Sequence, residues 1–73
     1  MVLSSQAAHA QSAEDYVNRG DEKRKAGDLD GAIAEYSKAI EINPTDASIY
    51  ISRGQTKRML GDYKGAITIT IRR

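Results

Sequence analysis

Arg24 and Arg58 stand 34 residues apart, each inside a short basic cluster, Lys23-Arg24-Lys25 and Lys57-Arg58. Two guanidinium groups held side by side grip a carboxylate through forked hydrogen bonds, so the pair is a candidate clamp for an acidic peptide. The plainer reading is two solvated arginines, with Asp21 pairing to Lys25 one helical turn away. The basic clusters also raise nucleic acid as a partner. They are short, interleaved with Asp21 and Glu22, and lack an aromatic residue placed to stack on a base, so no nucleic-acid interface is expected. Catalysis finds less support. His9 is the only histidine and cysteine is absent, which leaves no nucleophile–base pair and no metal-ligand set. Gly61-Asp62-Tyr63-Lys64-Gly65 looks like a phosphate loop, but its spacing is not that of a P-loop and no strand precedes it. Its copy at residues 27–31 marks both as turns. No enzyme activity, metal site or cofactor is expected.

These residues need a scaffold, and the chain is short. Seventy-three residues make at most one small domain, in a range where a lone core supplies only about 3–5 kcal/mol. Without disulfides, self-association or further repeats are the expected supports. Eleven Lys and Arg against ten Asp and Glu give a net charge of +1, so no whole-protein field draws in nucleic acid or an anionic membrane. No apolar run approaches the roughly 18–20 residues of a spanning helix. Residues 1–12 read as an N-terminal tail. Within it Ala8-His9-Ala10 has the small-x-small form of a signal-peptidase site, although a basic start and an apolar stretch are missing. A remnant of an export signal and an ordinary alanine-rich tail are both open, and with them an exported or a cytoplasmic location.

The organising pattern is a duplication. Gly20-x6-Gly27-Asp28-x2-Gly31-Ala32-Ile33 recurs as Gly54-x6-Gly61-Asp62-x2-Gly65-Ala66-Ile67, always at an offset of 34. A fixed period of this size signals stacked supersecondary units that cannot bury their apolar faces singly. Ser12-x-x-Asp15 predicts a helix from residue 13 that stops near Gly27, and Asp28 can cap the next. Apolar residues at 29, 32, 33, 36, 39 and 40 make one face of a second helix, ended by Asn43-Pro44. Thr45 or Asp46 then caps a third helix carrying Tyr50, Ile51, Gly54, Met59 and Leu60, closed by a turn at Gly61-Asp62. A fourth helix is predicted from Tyr63, with Ala66, Ile67 and Ile71 on one face. There the signals conflict, because Ile67-Thr68-Ile69-Thr70-Ile71 alternates at period two and is β-branched throughout, which favours a strand. Helix is the expectation for residues 63–68, with the last residues frayed or paired to another chain.

Tyr16-x2-Arg19-Gly20 and Tyr50-x2-Arg53-Gly54, followed by Gly27-Asp28-Leu29-Asp30-Gly31-Ala32-Ile33, Tyr36, Ala39-Ile40 and Asn43-Pro44, resemble the tetratricopeptide repeat in a common bacterial variant. The resemblance covers residues 13–73, as a first repeat at 13–46 and a second, truncated one at 47–73. It implies an all-α fold of antiparallel helix-turn-helix units, a fragment of an α-solenoid with about four helices. Gly20, Gly54, Ala32 and Ala66 would let helices approach closely, and Tyr16, Tyr36 and Tyr50 would fill the space between them. The second repeat departs from the pattern, with Thr70 where the first has Tyr36 and Arg73 where it has Ala39.

In this family the first helices of successive repeats line a concave groove that holds a peptide. The resemblance therefore implies a groove formed by Val17, Asp21, Arg24 and Lys25 from the first repeat, with Ser48, Ile51, Ser52, Gln55, Arg58 and Met59 from the second. The members that grip a C-terminal carboxylate use lysines and asparagines where this chain has Val17, Asp21 and Ser52, so that activity is not expected. The implied function is a protein or peptide interaction module. Tyr63, Ile67, Ile69 and Ile71 form a sticky end, which predicts a homodimer or higher assembly, with exchanged helices as one form of it. The alternative function is a self-assembling structural unit whose only partner is itself.

Overall fold

The computed structural model describes the backbone of residues 12–72 and the side chains of residues 12–65. Three helices follow one another: α1 (Ala13–Lys25), α2 (Leu29–Ile42) and α3 (Ala47–Arg72), with no strand among the described residues. Ala8-His9-Ala10 lies outside those residues.

Local chemistry explains the first two helices. Ser12 Oγ accepts the Asp15 N–H at 3.2 Å while the Asp15 carboxylate accepts the Ser12 N–H at 3.3 Å, a reciprocal capping box. Glu14 and Asp15 in the first turn and Lys23, Arg24 and Lys25 in the last complement the helix dipole. At the end of α1, Gly27 takes φ +90°, which a side chain would resist. Its N–H donates to the Arg24 carbonyl at 3.0 Å and that of Asp28 to the Lys23 carbonyl at 2.8 Å, a Schellman turn. Asp28 then opens α2, its Oδ1 accepting the Gly31 N–H at 2.9 Å. Asn43 closes α2 through its N–H to the Ala39 carbonyl, and Pro44 cannot continue it. Of the two candidate caps for α3 it is Asp46 that acts, accepting the Ser48 N–H at 3.0 Å and its hydroxyl at 2.7 Å. Thr45 donates instead to Asn43 Oδ1.

α2 lies between the other two and packs on both. Its apolar face is the core: Ala32, Tyr36 and Ala39 are fully buried, Ile49 of α3 joins them, and Ala13, Tyr16, Val17 and Ile40 pack around the edge. Tyr36 locks α2 to α1. Its ring lies over Gly20 so closely that a Cβ there would stand 2.7 Å from it, and its hydroxyl donates to Asp21. On the other side, Arg53 donates to Ser37 Oγ at 3.1 Å, and the buried Thr56 hydroxyl is satisfied by the Ser52 carbonyl at 2.8 Å.

The second unit departs from expectation. Gly61-Asp62 makes no turn and no fourth helix begins at Tyr63; α3 runs straight through to Arg72, so the described chain has three helices rather than about four. Residues 67–71 belong to this helix and not to a strand, while the side chains of Ile67, Ile69 and Ile71 lie outside those described. The physical reason is the missing lock. In the first unit the hairpin is rewarded by a tyrosine ring, and burying such a ring yields roughly 4–6 kcal/mol from its 150–250 Å². The corresponding residue is Thr70, and Gly54 has no atom within 4 Å of where its Cβ would be. Keeping Gly61 inside a helix costs about 1 kcal/mol, less than the reward that has gone.

Candidate functional site

Because α1 and α3 both pack on α2, their N-terminal ends frame an open cleft of about 300 Å³. Val17 and Ile49 supply apolar walls, Ala13 leaves room between them, and Glu14, Asn43, Asp46 and Ser48 form the polar rim. Two of the residues expected in a groove, Val17 and Ser48, therefore meet across one opening. Five lining residues escaped the sequence reading. Asp46 and Asn43 were legible as helix-end signals, but nothing in the pattern said that helix ends would form the mouth.

Farther along, Asp21 and Arg24 come together, at 3.5 Å between carboxylate and guanidinium. Arg24, not Lys25, takes this carboxylate, because the i, i+3 neighbour with its longer fork reaches it; Lys25 stays exposed. The same carboxylate accepts the Tyr36 hydroxyl, so one side chain links the core to the surface. That phenol is pushed up to about 12, first by burial, then by its bond to Asp21 and the Asp21 charge; Arg24 and Thr56 pull it back in part. On α3, Ile51 is 58% and Met59 44% exposed, and Gln55 and Arg58 are exposed beside them. Arg58 has no ion-pair partner among the described residues, and its expected neighbour Arg24 is engaged by Asp21. Ser52 is half-buried and uses its carbonyl to hold Thr56. Tyr63 is 61% exposed, on the part of α3 that runs beyond the core.

Each first-helix tyrosine carries a cation. The Arg19 guanidinium lies 5.3 Å and the Lys38 ammonium 5.7 Å from the Tyr16 ring centre, and Arg53 lies 5.7 Å from that of Tyr50. The Tyr-x2-Arg spacing thus works inside the fold. Among the described residues, no three of His, Cys, Asp and Glu gather as metal ligands, and no helix is long and apolar enough to cross a membrane.

The family model for the TPR repeat matches residues 20–61, more than half of the chain. The chain belongs to the TPR family. The matched stretch starts at the glycine under Tyr36 and ends at the glycine where α3 declines to turn, so it spans the helix-turn-helix-turn-helix segment that the core holds together. TPR repeats are, as a class, protein–protein interaction modules and typically non-catalytic. Neither the curated proteins nor the solved structures include a match to this TPR chain.

Proposed function

We propose that this TPR chain binds an extended peptide of a protein partner along the face shared by α1 and α3, with Val17, Asp21, Arg24 and Lys25 on one wall and Ser48, Ile51, Ser52, Gln55, Arg58 and Met59 on the other. The observation that carries this reading is the cleft itself, which joins Val17 to Ser48; Ile51 and Met59, exposed apolar side chains of the same α3, are assigned to its continuation. Its volume lies at the lower edge of the range for ligand pockets, roughly 300–1,000 Å³, enough for one or two anchoring side chains. A partner carboxylate would sit near Arg58 and draw Arg24 from Asp21, an exchange of one surface ion pair for another.

Selection from a random peptide library tests the reading. Peptides recovered on the wild-type chain should bind at least about tenfold more weakly to Ile51→Lys and Ser48→Lys, and unchanged to Glu41→Lys on the far face of α2. Peptides that ignore both groove substitutions would end it. Acidic ligands should lose more affinity with Arg24→Ala plus Arg58→Ala than with Lys38→Ala plus Lys64→Ala.

A second reading is self-assembly through the exposed end of α3, and the 61% exposure of Tyr63 favours it. A monomer mass by light scattering at every concentration would remove this alternative and leave the groove untouched.

A further inference from the structure

Gly27-Asp28-x2-Gly31-Ala32-Ile33 and Gly61-Asp62-x2-Gly65-Ala66-Ile67 share five residues at one spacing, yet the chain turns at the first Gly-Asp pair and runs helical through the second. The first copy closes a turn and folds α2 back on α1; the second is the middle of α3. Every residue of 61–65 is exposed, and neither glycine there has an atom within 4 Å of its would-be Cβ.

The face that a second turn would cover stands bare. Tyr16 is half-buried between Arg19 and Lys38, and Gly20 is sealed by Tyr36. Their repeat equivalents, Tyr50 at 43% and Gly54, are exposed, as is Lys57. A straight α3 has no means of covering them. Positions 54 and 70 correspond to Gly20 and Tyr36, which touch in the first hairpin, yet sixteen residues of helix set them about 160° apart around the axis and about 24 Å apart along it. The same angle excludes a second straight copy as the cover for both halves, because a partner lying along one side of α3 meets one of these faces and misses the other. Only a bend brings them together.

We propose that Gly61-Asp62 is a two-state hinge, at which α3 exchanges between the through-helix and a helical hairpin that folds residues 63–72 over Tyr50, Gly54 and Lys57. The two states balance because each lacks something. The through-helix keeps Gly61 in its interior and leaves a face uncovered; the hairpin covers the face but has Thr70 where the first repeat has its locking tyrosine. The hinge makes the Tyr50–Gly54 face conditional, presented in one state and hidden in the other, so any partner bound there competes with closure. The groove on the α1 side is independent of it, and the two readings fail separately.

The chain has no cysteine, so spin labels can be placed through Ile51→Cys and Arg72→Cys. Pulsed dipolar distances, measured with the labelled chain diluted in unlabelled chain, should show two populations. One lies at about 32 Å for the straight helix and the other below about 20 Å for the hairpin. Gly61→Ala plus Gly65→Ala should lower the hairpin-to-helix ratio at least about thirtyfold, since the first favours a helix interior and opposes the turn, and the second crowds the Asp62 cap of the hairpin as a Cβ at Gly31 would crowd Asp28. Tyr63→Pro should do the reverse, because proline is accepted at the first position of a helix and rejected from its interior. The hinge is overturned by a single long distance that Tyr63→Pro leaves long. It is equally overturned by a short distance that disappears on dilution, which would mean contact between copies, or by one that the glycine pair leaves unchanged.

Discussion

Gly20 and Gly54 occupy the same place in two copies of one motif and meet different neighbours. Over Gly20 lies the fully buried Tyr36 ring; beside Gly54 there is open space. Around each glycine the other equivalents follow suit, with Tyr16 half-buried and Tyr50 exposed, Gly27 in a turn and Gly61 in a helix. The residue types at these positions are the same. What differs is a residue sixteen positions downstream, tyrosine in one copy and threonine in the other. A turn signal therefore specifies where a chain is able to bend, and the packing beyond it decides whether it does.

The sharpest way to break the comparison is to remove the lock where it exists. Tyr36→Ala should cost about 3–5 kcal/mol, as emptying a large aromatic site does, and should unfold α1 and α2 together in a denaturant titration. Thr70→Tyr is the converse, expected to bend α3 and raise the melting temperature; a melting curve identical to wild type would count against the lock. Next in size is Gly20→Ala, which forces a methyl against the Tyr36 ring and should destabilise by about 1–3 kcal/mol. Gly54→Ala, at the equivalent position, should stabilise by up to about 1 kcal/mol through helix propensity alone. Opposite signs in paired thermal melts are the signature.

Alkaline titration isolates the polar half of the lock. Tyr36 titrates at about 12 in the folded chain against 10 when unfolded. Below pH 10 both states hold the proton and the term is flat. Between pH 10 and about 12 only the folded state keeps it, so stability falls by about 1.4 kcal/mol per pH unit relative to Tyr36→Phe. A difference between the two proteins that does not change with pH would refute this. Smallest is the turn pair. Gly27→Ala puts a side chain at φ +90° and should cost about 1–2 kcal/mol, while Gly61→Ala should raise helix content by circular dichroism.

Much of this was legible beforehand because the signals are local. The Ser12-Asp15 capping box, the Gly27-Asp28 turn, the apolar face of α2 and its end at Asn43-Pro44 each depend on residues within about a turn of one another, and each is present. The straight passage through residue 61 was not legible, because its cause is the absence of a distant ring. The residues that line the cleft divided in the same way. Val17 and Ser48 follow from the repeat register, whereas Glu14, Asn43 and Ile49 join the cleft through the relative placement of α1 and α3, which no short pattern carries. Arg24 was legible as a cation but not as one already engaged by Asp21.

The unbroken α3 has a consequence for its amide protons. Ending a helix strands about four N–H and four C=O groups at each break. After α1 the stranded carbonyls of Glu22, Lys23 and Arg24 accept the N–H groups of Ala26, Asp28 and Gly27, and at the start of α2 the Asp28 side chain accepts the Gly31 N–H. In the middle of α3 no such debt arises, because Tyr63 and Lys64 donate to the carbonyls four residues behind them. Were the chain to turn at residue 61, those two amides would become first-turn donors open to water. Their rate of hydrogen–deuterium exchange is thus a built-in clock, reporting how often the helix is cut without a label or a substitution.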